Sequence, residues 1–324
     1  MKKQKGLKKV FIVDSRTGKK VYVLANQVHR DELLGQVSVK YKPAGFIADL
    51  VAPTVNVKKT SDLYRVYDRN FRVPETERAN RAKSREHNFD VSTASYNLKR
   101  HSLHSKVSDT DQDNYDLADL RSETTEDLTD VIYRRKELEC GSLFTSTNWS
   151  LGVSLAAGAE FSAQTTTSNP IPVYQTGAST IIAESGQMVN FGILPRAGYI
   201  ACVNHPSVLD RVKYTSSEMD DKKLAALFEL KKGLLIPSAA YDNSHIGATT
   251  VMTNFFDAEN SFIGYKPDAP GPLKPSSLYT FSKAMPVVKR WREEETESEV
   301  IEVNLEFQIK VVASLSGYLI RNVI

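Results

Sequence analysis

The chain has 324 residues, 41% of them hydrophobic, and a net charge of +3. That is material for about two domains with ordinary cores, and too small a basic excess to make nucleic acid the dominant partner. Two cysteines, Cys140 and Cys202, exclude a disulfide framework and fit a reducing compartment. No run of about 18 apolar residues excludes a spanning helix, so no membrane partner is expected. The lysine-rich start lacks the apolar core of a signal peptide.

Residues 1–45 read as a basic head followed by a hairpin. Val10 to Val13 and Val21 to Leu24 are strand-forming runs on either side of the turn-rich Asp14 to Gly18. Lys2, Lys3, Lys5, Lys8 and Lys9 are candidates for phosphate contact, set against the plainer reading of a solvated terminus. Phe46 to Val57 reads as an extended, half-buried segment.

Asp62 to Lys106 reads as a two-stranded excursion with a charged tip. Leu63 to Tyr67 forms the outgoing strand. On the returning strand Ala94, Tyr96 and Leu98 alternate with Ser95, Asn97 and Lys99, which predicts one buried and one wet face. Arg69 to Asp90 has few large apolar residues and cannot bury itself. A lone hairpin is marginal in water, and its open edges are a pairing hazard. The excursion is therefore expected to lie on another subunit.

Charge points the same way. Residues 58–106 carry twelve Lys or Arg against six acids, whereas 108–130 carry nine acids against Arg121 alone. Such blocks pair within one subunit, or head-to-tail between subunits in a heterologous contact that generates rings, or remain as two solvated faces. The residues singled out for the inter-subunit contact are Arg69, Arg72, Arg78, Arg81 and Arg85 on the loop. Opposite them stand Asp109, Asp111, Asp113, Asp116, Asp119 and Glu123.

Asp116 to Phe144 is the strongest helical pattern. Leu117, Leu120, Thr124, Leu128, Val131, Arg135 and Leu138 recur at spacings of three and four, predicting one buried stripe. Acids early and Arg134-Arg135-Lys136 late suit the helix dipole, and Gly141 is the expected stop. Asp109 to Asn114 has the first carboxylates of a calcium loop, but its sixth position is Asn114 and its twelfth is Leu120. Without the glycine and the final Glu, the reading is an acidic lead-in to a helix.

Ser146 to Thr176, rich in Ser, Thr, Ala and Gly, reads as a linker. Gly177 to Phe281 reads as a mixed domain: a strand at Gly198 to Val203, helices at Asn204 to Tyr214 and Lys222 to Leu230, and a strand at Gly233 to Pro237. The proline-rich Pro267 to Pro275 excludes regular structure. Val287 to Val312 returns as strand. Ile301, Val303, Leu305, Phe307, Ile309 and Val311 alternate strictly with polar residues, predicting a long strand with one dry and one wet face.

Catalytic signatures are missing. There is no phosphate-cradling Gly-rich Lys-Ser/Thr motif, no nucleophile elbow and no helical zinc-protease pair. His101 and His104 fall on opposite faces of a strand, and nothing marks Cys140 as an activated thiolate. No enzyme activity, metal or cofactor is expected.

Several strings are similar to the major capsid proteins of tailed double-stranded-DNA bacteriophages with the Hong Kong 97-like fold. They are Ile47-Ala48-Asp49-Leu50-Val51-Ala52-Pro53, Tyr64-Arg65-Val66-Tyr67-Asp68 with Phe71-Arg72, and the run from Asn204 to Tyr214. To these add Trp291-Arg292 followed by three acids, and Val300-Ile301-Glu302-Val303. The resemblance runs from about residue 46 to the end and is thinnest in 1–45 and 146–176. It implies an α+β capsid fold: an N-terminal arm over 1–45, an extended β-hairpin loop over 62–106 and an axial domain over 177–281. The peripheral domain, with its long spine helix, takes 46–61, 107–176 and 282–324.

The resemblance also implies the function: pentamers and hexamers closing into an icosahedral shell, with packaged double-stranded DNA held non-specifically on the inner face of a virion. Partners implied are the chain itself, scaffolding and portal proteins, and a decoration protein. Without a long N-terminal extension, a separate scaffolding protein is expected. Some members of the family crosslink Lys to Asn, and Lys83 sits near the loop tip. The alternative on the same fold is an encapsulin-like compartment around a cargo enzyme.

Overall fold

In the computed structural model the described residues are 9–13, 20–24, 29–30, 34, 38, 45–66, 76–84, 86, 92–115, 119–165, 167–213, 219–245, 247–271, 274–283 and 285–324. In chain order they form β1 (Lys9–Val13), β2 (Lys20–Leu24), β3 (His29–Arg30), α1 (Ala48–Val51), β4 (Thr54–Asn56), β5 (Ser61–Val66), β6 (Ser92–Asn97) and β7 (Lys99–Ser108). Then come α2 (Asp109–Asp113), α3 (Leu120–Gly141), β8 (Gly152–Ser154), α4 (Pro170–Ser185), β9 (Phe191–Ile193), α5 (Arg196–Val203), α6 (Pro206–Val212) and α7 (Asp221–Leu227). Seven strands follow: β10 (Leu234–Leu235), β11 (Ala240–Asp242), β12 (Met252–Asn254), β13 (Ser261–Gly264), β14 (Leu278–Ser282), β15 (Val287–Glu293) and β16 (Ser298–Val311); β17 (Gly317–Arg321) closes the chain. Two compact units result, one drawn from Met1–Pro43, Lys99–Arg135 and Ser282–Phe307, the other from Ala44–Leu98, Lys136–Phe281 and Gln308–Ile324.

In the first unit β15 and β16 form an antiparallel hairpin in register from Val287 opposite Asn304 to Glu293 opposite Ser298. The other edge of β16 is taken by β7, from Ser298 opposite Ser108 to Phe307 opposite Lys99. The short β3 pairs with β15. The expected N-terminal hairpin is present as β1 and β2, with Val10 opposite Val23 and Ile12 opposite Val21.

The alternation read in β16 holds for its dry face: Ile301, Val303, Leu305 and Phe307 are buried. The face expected to be wet is half-buried instead, and Asn304 on it is buried. Strands on both edges bring long Lys and Arg side chains that lie across it.

The second unit is built on a five-stranded sheet in the order β10-β9-β13-β17-β8. Helices α4 to α7 share its core, where Ile171, Tyr174, Ile181, Leu194, Leu224 and Phe228 are all but inaccessible. Each such large side chain contributes about 1.5–3 kcal/mol of burial. Tyr174 stacks on Phe228 at 3.9 Å, and its hydroxyl meets Ser261 Oγ at 2.6 Å, so its polar end is satisfied.

Several elements depart from the sequence reading. Ser146 to Thr176 is not a linker: Trp149 and Phe161 are buried, and α4 begins inside it at Pro170, with Asn169 capping Ile171 N–H. Its large side chains anchor it, while most of its small residues stay exposed. Gly198 to Val203 is helix, not strand. Gly198, Ala201 and Cys202 are buried while Arg196, Ala197 and Ile200 are exposed, the spacing of a helix face that a short apolar run cannot distinguish from a strand. Pro206 does open α6 and α7 falls where expected, but the strand at Gly233 to Pro237 shrinks to two residues.

Phe46 to Val57 also departs, folding as α1 and then β4 instead of extending throughout. Glu137 supplies the reason: its two carboxylate oxygens accept Ile47 N–H and Ala48 N–H, both at 2.9 Å. A side chain distant in sequence thus caps the turn.

The long helix is present as α3, yet its buried stripe is not the predicted one. Val131 and Arg135 are exposed, whereas Thr125, Leu128, Thr129, Ile132, Lys136 and Cys140 are buried. Counting apolar residues missed this face because its polar members are satisfied locally. Thr125 and Thr129 hydroxyls donate to the carbonyls four residues back, and Thr129 also meets Ser38 Oγ at 2.8 Å. Gly141 ends the helix, though not by a left-handed turn: a Cβ there would lie 1.9 Å from the Phe255 carbonyl oxygen.

Candidate functional site

The excursion predicted to reach a neighbour is rooted in the second unit. β5 and β6 pair from Ser61 opposite Asn97 to Val66 opposite Ser92. The return strand ends there; residues 99–106, expected to belong to the excursion, lie instead in β7 and pair with β16. As the alternation required, Tyr96 and Leu98 are buried and Ala94 half-buried, while Ser95, Asn97 and Lys99 are exposed.

The root is aromatic. Tyr96 stacks on Phe281 at 4.8 Å, and Tyr64 tilts against the same ring at 5.1 Å. Val55, Tyr279 and Val312 complete the cluster. Both tyrosine hydroxyls donate to backbone carbonyls, Tyr96 to Lys59 and Tyr64 to Val311. Asn97 N–H is accepted by Gln308 Oε1 at 2.8 Å. The opposite face of the hairpin is open, with Leu63 65% exposed.

Of the loop cations, Arg78 and Arg81 are exposed, Arg81 with a left-handed φ of 69°. Lys83 is exposed as well. Arg69, Arg72 and Arg85 lie outside the described residues, as do Asp116, Lys2, Lys3, Lys5 and Lys8; Lys9 opens β1.

The acidic block is engaged within its own unit at one end. Arg292 grips Asp109 with two hydrogen bonds, at 3.1 and 2.6 Å, and holds its carboxyl below the usual carboxylate range. The Tyr115 hydroxyl donates to Glu123. Asp119 accepts Ser122 Oγ–H at 3.1 Å and Arg121 N–H at 3.2 Å at the start of α3. Arg121 itself turns to Glu299 at 2.6 Å, which Arg290 also meets at 3.2 Å. Asp111 and Asp113 stand exposed on α2.

Across the β7–β16–β15 sheet the charges are laid in rows. Glu306 accepts from Arg100, its cross-strand partner, and is held below its ordinary pKa by that bond. Glu302 faces Lys289 at 3.8 Å, and Lys106 pairs with Glu293. A slip of one residue would break every pair, so the rows specify register. Arg290 and Arg292 escaped the sequence reading, although Arg292 sits in one of the strings that carried the resemblance.

Cys140 and Cys202 are free and buried, and burial pushes both thiols up. Among the described residues no group of three or more His, Cys, Asp or Glu is placed to hold a metal ion. Among them, too, no helix is long and apolar enough to cross a membrane.

No family model matches the chain. It is 27% identical over 209 residues to the major capsid protein of Pseudomonas phage JBD67, a match covering 62% of this chain and 65% of that protein. The match thus spans just under two thirds of that relative's length. Among solved structures, the chain is similar to a phage-related protein of Bordetella bronchiseptica RB50, with a TM-score of 0.75 at 22% identity, over 91% of this chain and 97% of the other. It is also similar to the capsid protein of cyanophage P-SCSP1u, with a TM-score of 0.56 at 10% identity, over 87% of this chain and 89% of that one.

Proposed function

We infer that this chain, which has the mixed α and β fold of Hong Kong 97-like phage capsids, is the major capsid protein of a tailed phage. Its work is assembly: many copies close into an icosahedral shell, and the residues that matter are contacts rather than catalysts. The observation that carries this reading is the coincidence of two results. The fold matches a phage capsid over 87% of the chain, and the sequence matches a curated major capsid protein over most of the same length.

The arm, extended loop, spine helix and axial domain are the working parts of this reading. The β5–β6 hairpin is the extended loop, α3 the spine, and the region of α5 to α7 the part that gathers at symmetry axes. The loop cations Arg69, Arg72, Arg78, Arg81 and Arg85 lie on the acidic face of a neighbouring copy. Because Asp109 is held by Arg292, the acids that receive them are those exposed on α2 and α3, Asp111 and Asp113 foremost. The lysines of 2–9 make weak, salt-dependent contacts with packaged DNA. Scaffolding, portal and decoration proteins complete the partner set.

Negative-stain electron microscopy of the protein expressed with its neighbouring phage genes tests this reading. The particle fraction is assayed for nucleic acid. Uniform polyhedral shells that contain DNA when recovered from virions are expected. Small oligomers alone under those conditions overturn the reading, and shells filled with one cargo protein favour the compartment instead.

A further inference from the structure

Two helix N-termini meet at one hydroxyl. Asn169 caps α4, its Oδ1 accepting Ile171 N–H at 3.2 Å. His205 caps α6, its Nδ1 accepting Ser207 N–H at 3.2 Å. Between them stands Ser207 Oγ, 2.6 Å from His205 Nδ1 and 3.1 Å from Asn169 Oδ1. A serine hydroxyl has one proton. While the imidazole is neutral and Nδ1 carries a lone pair, that proton goes to His205. Once Nδ1 is protonated it donates to Oγ, and the hydroxyl proton can then go only to Asn169. In the second state Ser207 N–H has lost its acceptor, and a positive charge faces the N-terminus of α6, where the helix dipole disfavours it.

We propose that His205 is a proton-operated switch between the two caps: protonation turns the Ser207 hydroxyl from His205 to Asn169 and releases the first turn of α6. The ring is built into the core, 2% exposed, and the Ser168 backbone accepts a hydrogen bond from it. The groups facing it are uncharged: Ser207, Asn169 and the backbone of Ser168. No charged side chain contributes to its shift, in which burial outweighs the opposing pull of the Ser168 backbone. Desolvation holds its pKa below the ordinary 6.5. A lowered value means that the cap contributes stability above about pH 6.5, which is lost as pH falls through the lowered value. The proposal does not depend on the shell reading. If both hold, acid loosens a helix of the axial region without unfolding the subunit.

Hydrogen exchange read by mass spectrometry tests it on the full chain from pH 7.5 to 4.5, corrected for intrinsic rates. The expected result is a fall of about five- to tenfold in protection over residues 206–213, the size of one lost cap, with α4 keeping its protection. His205→Asn keeps an N-cap that does not titrate, and should abolish the step. If that variant fails to fold, His205→Ser serves the same purpose. A step that persists in the variant, no step in the unmodified chain, or one shared by the whole unit overturns the proposal.

Discussion

Tyr96 lies flat against Phe281, ring centroids 4.8 Å apart and planes 11° from parallel. This one contact ties the returning strand of the extended hairpin to the strand Leu278–Ser282. Tyr96→Ala should destabilise the unit by about 3–5 kcal/mol, read by denaturant melts. Tyr96→Phe keeps the stacking and gives up only the hydrogen bond to Lys59, at a cost of about 1 kcal/mol. An equal loss in both variants would mean that the hydroxyl, not the ring, holds the root.

The loop cations are expected to act on a second copy. Arg72→Glu with Arg78→Glu should impair shell formation while circular dichroism and the melting curve stay unchanged. Lowering salt should worsen the repulsion and raising it should relieve it. Normal shells from the double variant would remove these residues from the contact.

Glu137 is buried, and both its oxygens accept backbone N–H groups of the Ala48–Val51 helix. Glu137→Ala leaves two donors without a partner and should cost about 2–6 kcal/mol at neutral pH. Burial raises its carboxyl pKa, against the lowering pull of those two bonds. A raised value means that the stability from proton binding is fully present below the unfolded carboxylate value and is lost as pH rises through the folded one. The stability profile of Glu137→Gln should therefore be flatter above the ordinary carboxylate pKa of about 4.3 than that of the unmodified chain. Parallel profiles would show that Glu137 does not titrate differently on folding.

Gly317 opens the last strand under Trp149 and Phe262, where an added Cβ would sit 2.3 and 2.5 Å from their rings. Two aromatic rings cannot move aside cheaply, so Gly317→Ala should cost about 1–3 kcal/mol. Gly158, with no atom within 4 Å of an added Cβ, is the spatial control, although its φ of 84° adds backbone strain of its own. A neutral Gly317→Ala would show that the rings give way.

Local pattern carried those elements whose burial follows their own periodicity. The alternation of Ala94, Tyr96 and Leu98 gave the buried face of the hairpin, that of Ile301 to Phe307 the dry face of the long strand, and Pro206 the start of its helix. Charge blocks and strings of residues were enough to suggest assembly and the family. Tertiary structure decided the places where a distant group satisfies what the local sequence leaves open. Glu137 makes a helical turn at Ala48–Val51, and Ser38, 91 residues away in sequence, meets Thr129 on the buried side of the long helix. Arg292, 183 residues away in sequence, holds Asp109. Periodicity records which residues prefer water. It does not record which polar groups will find partners, and a buried polar group is stable only when it has one.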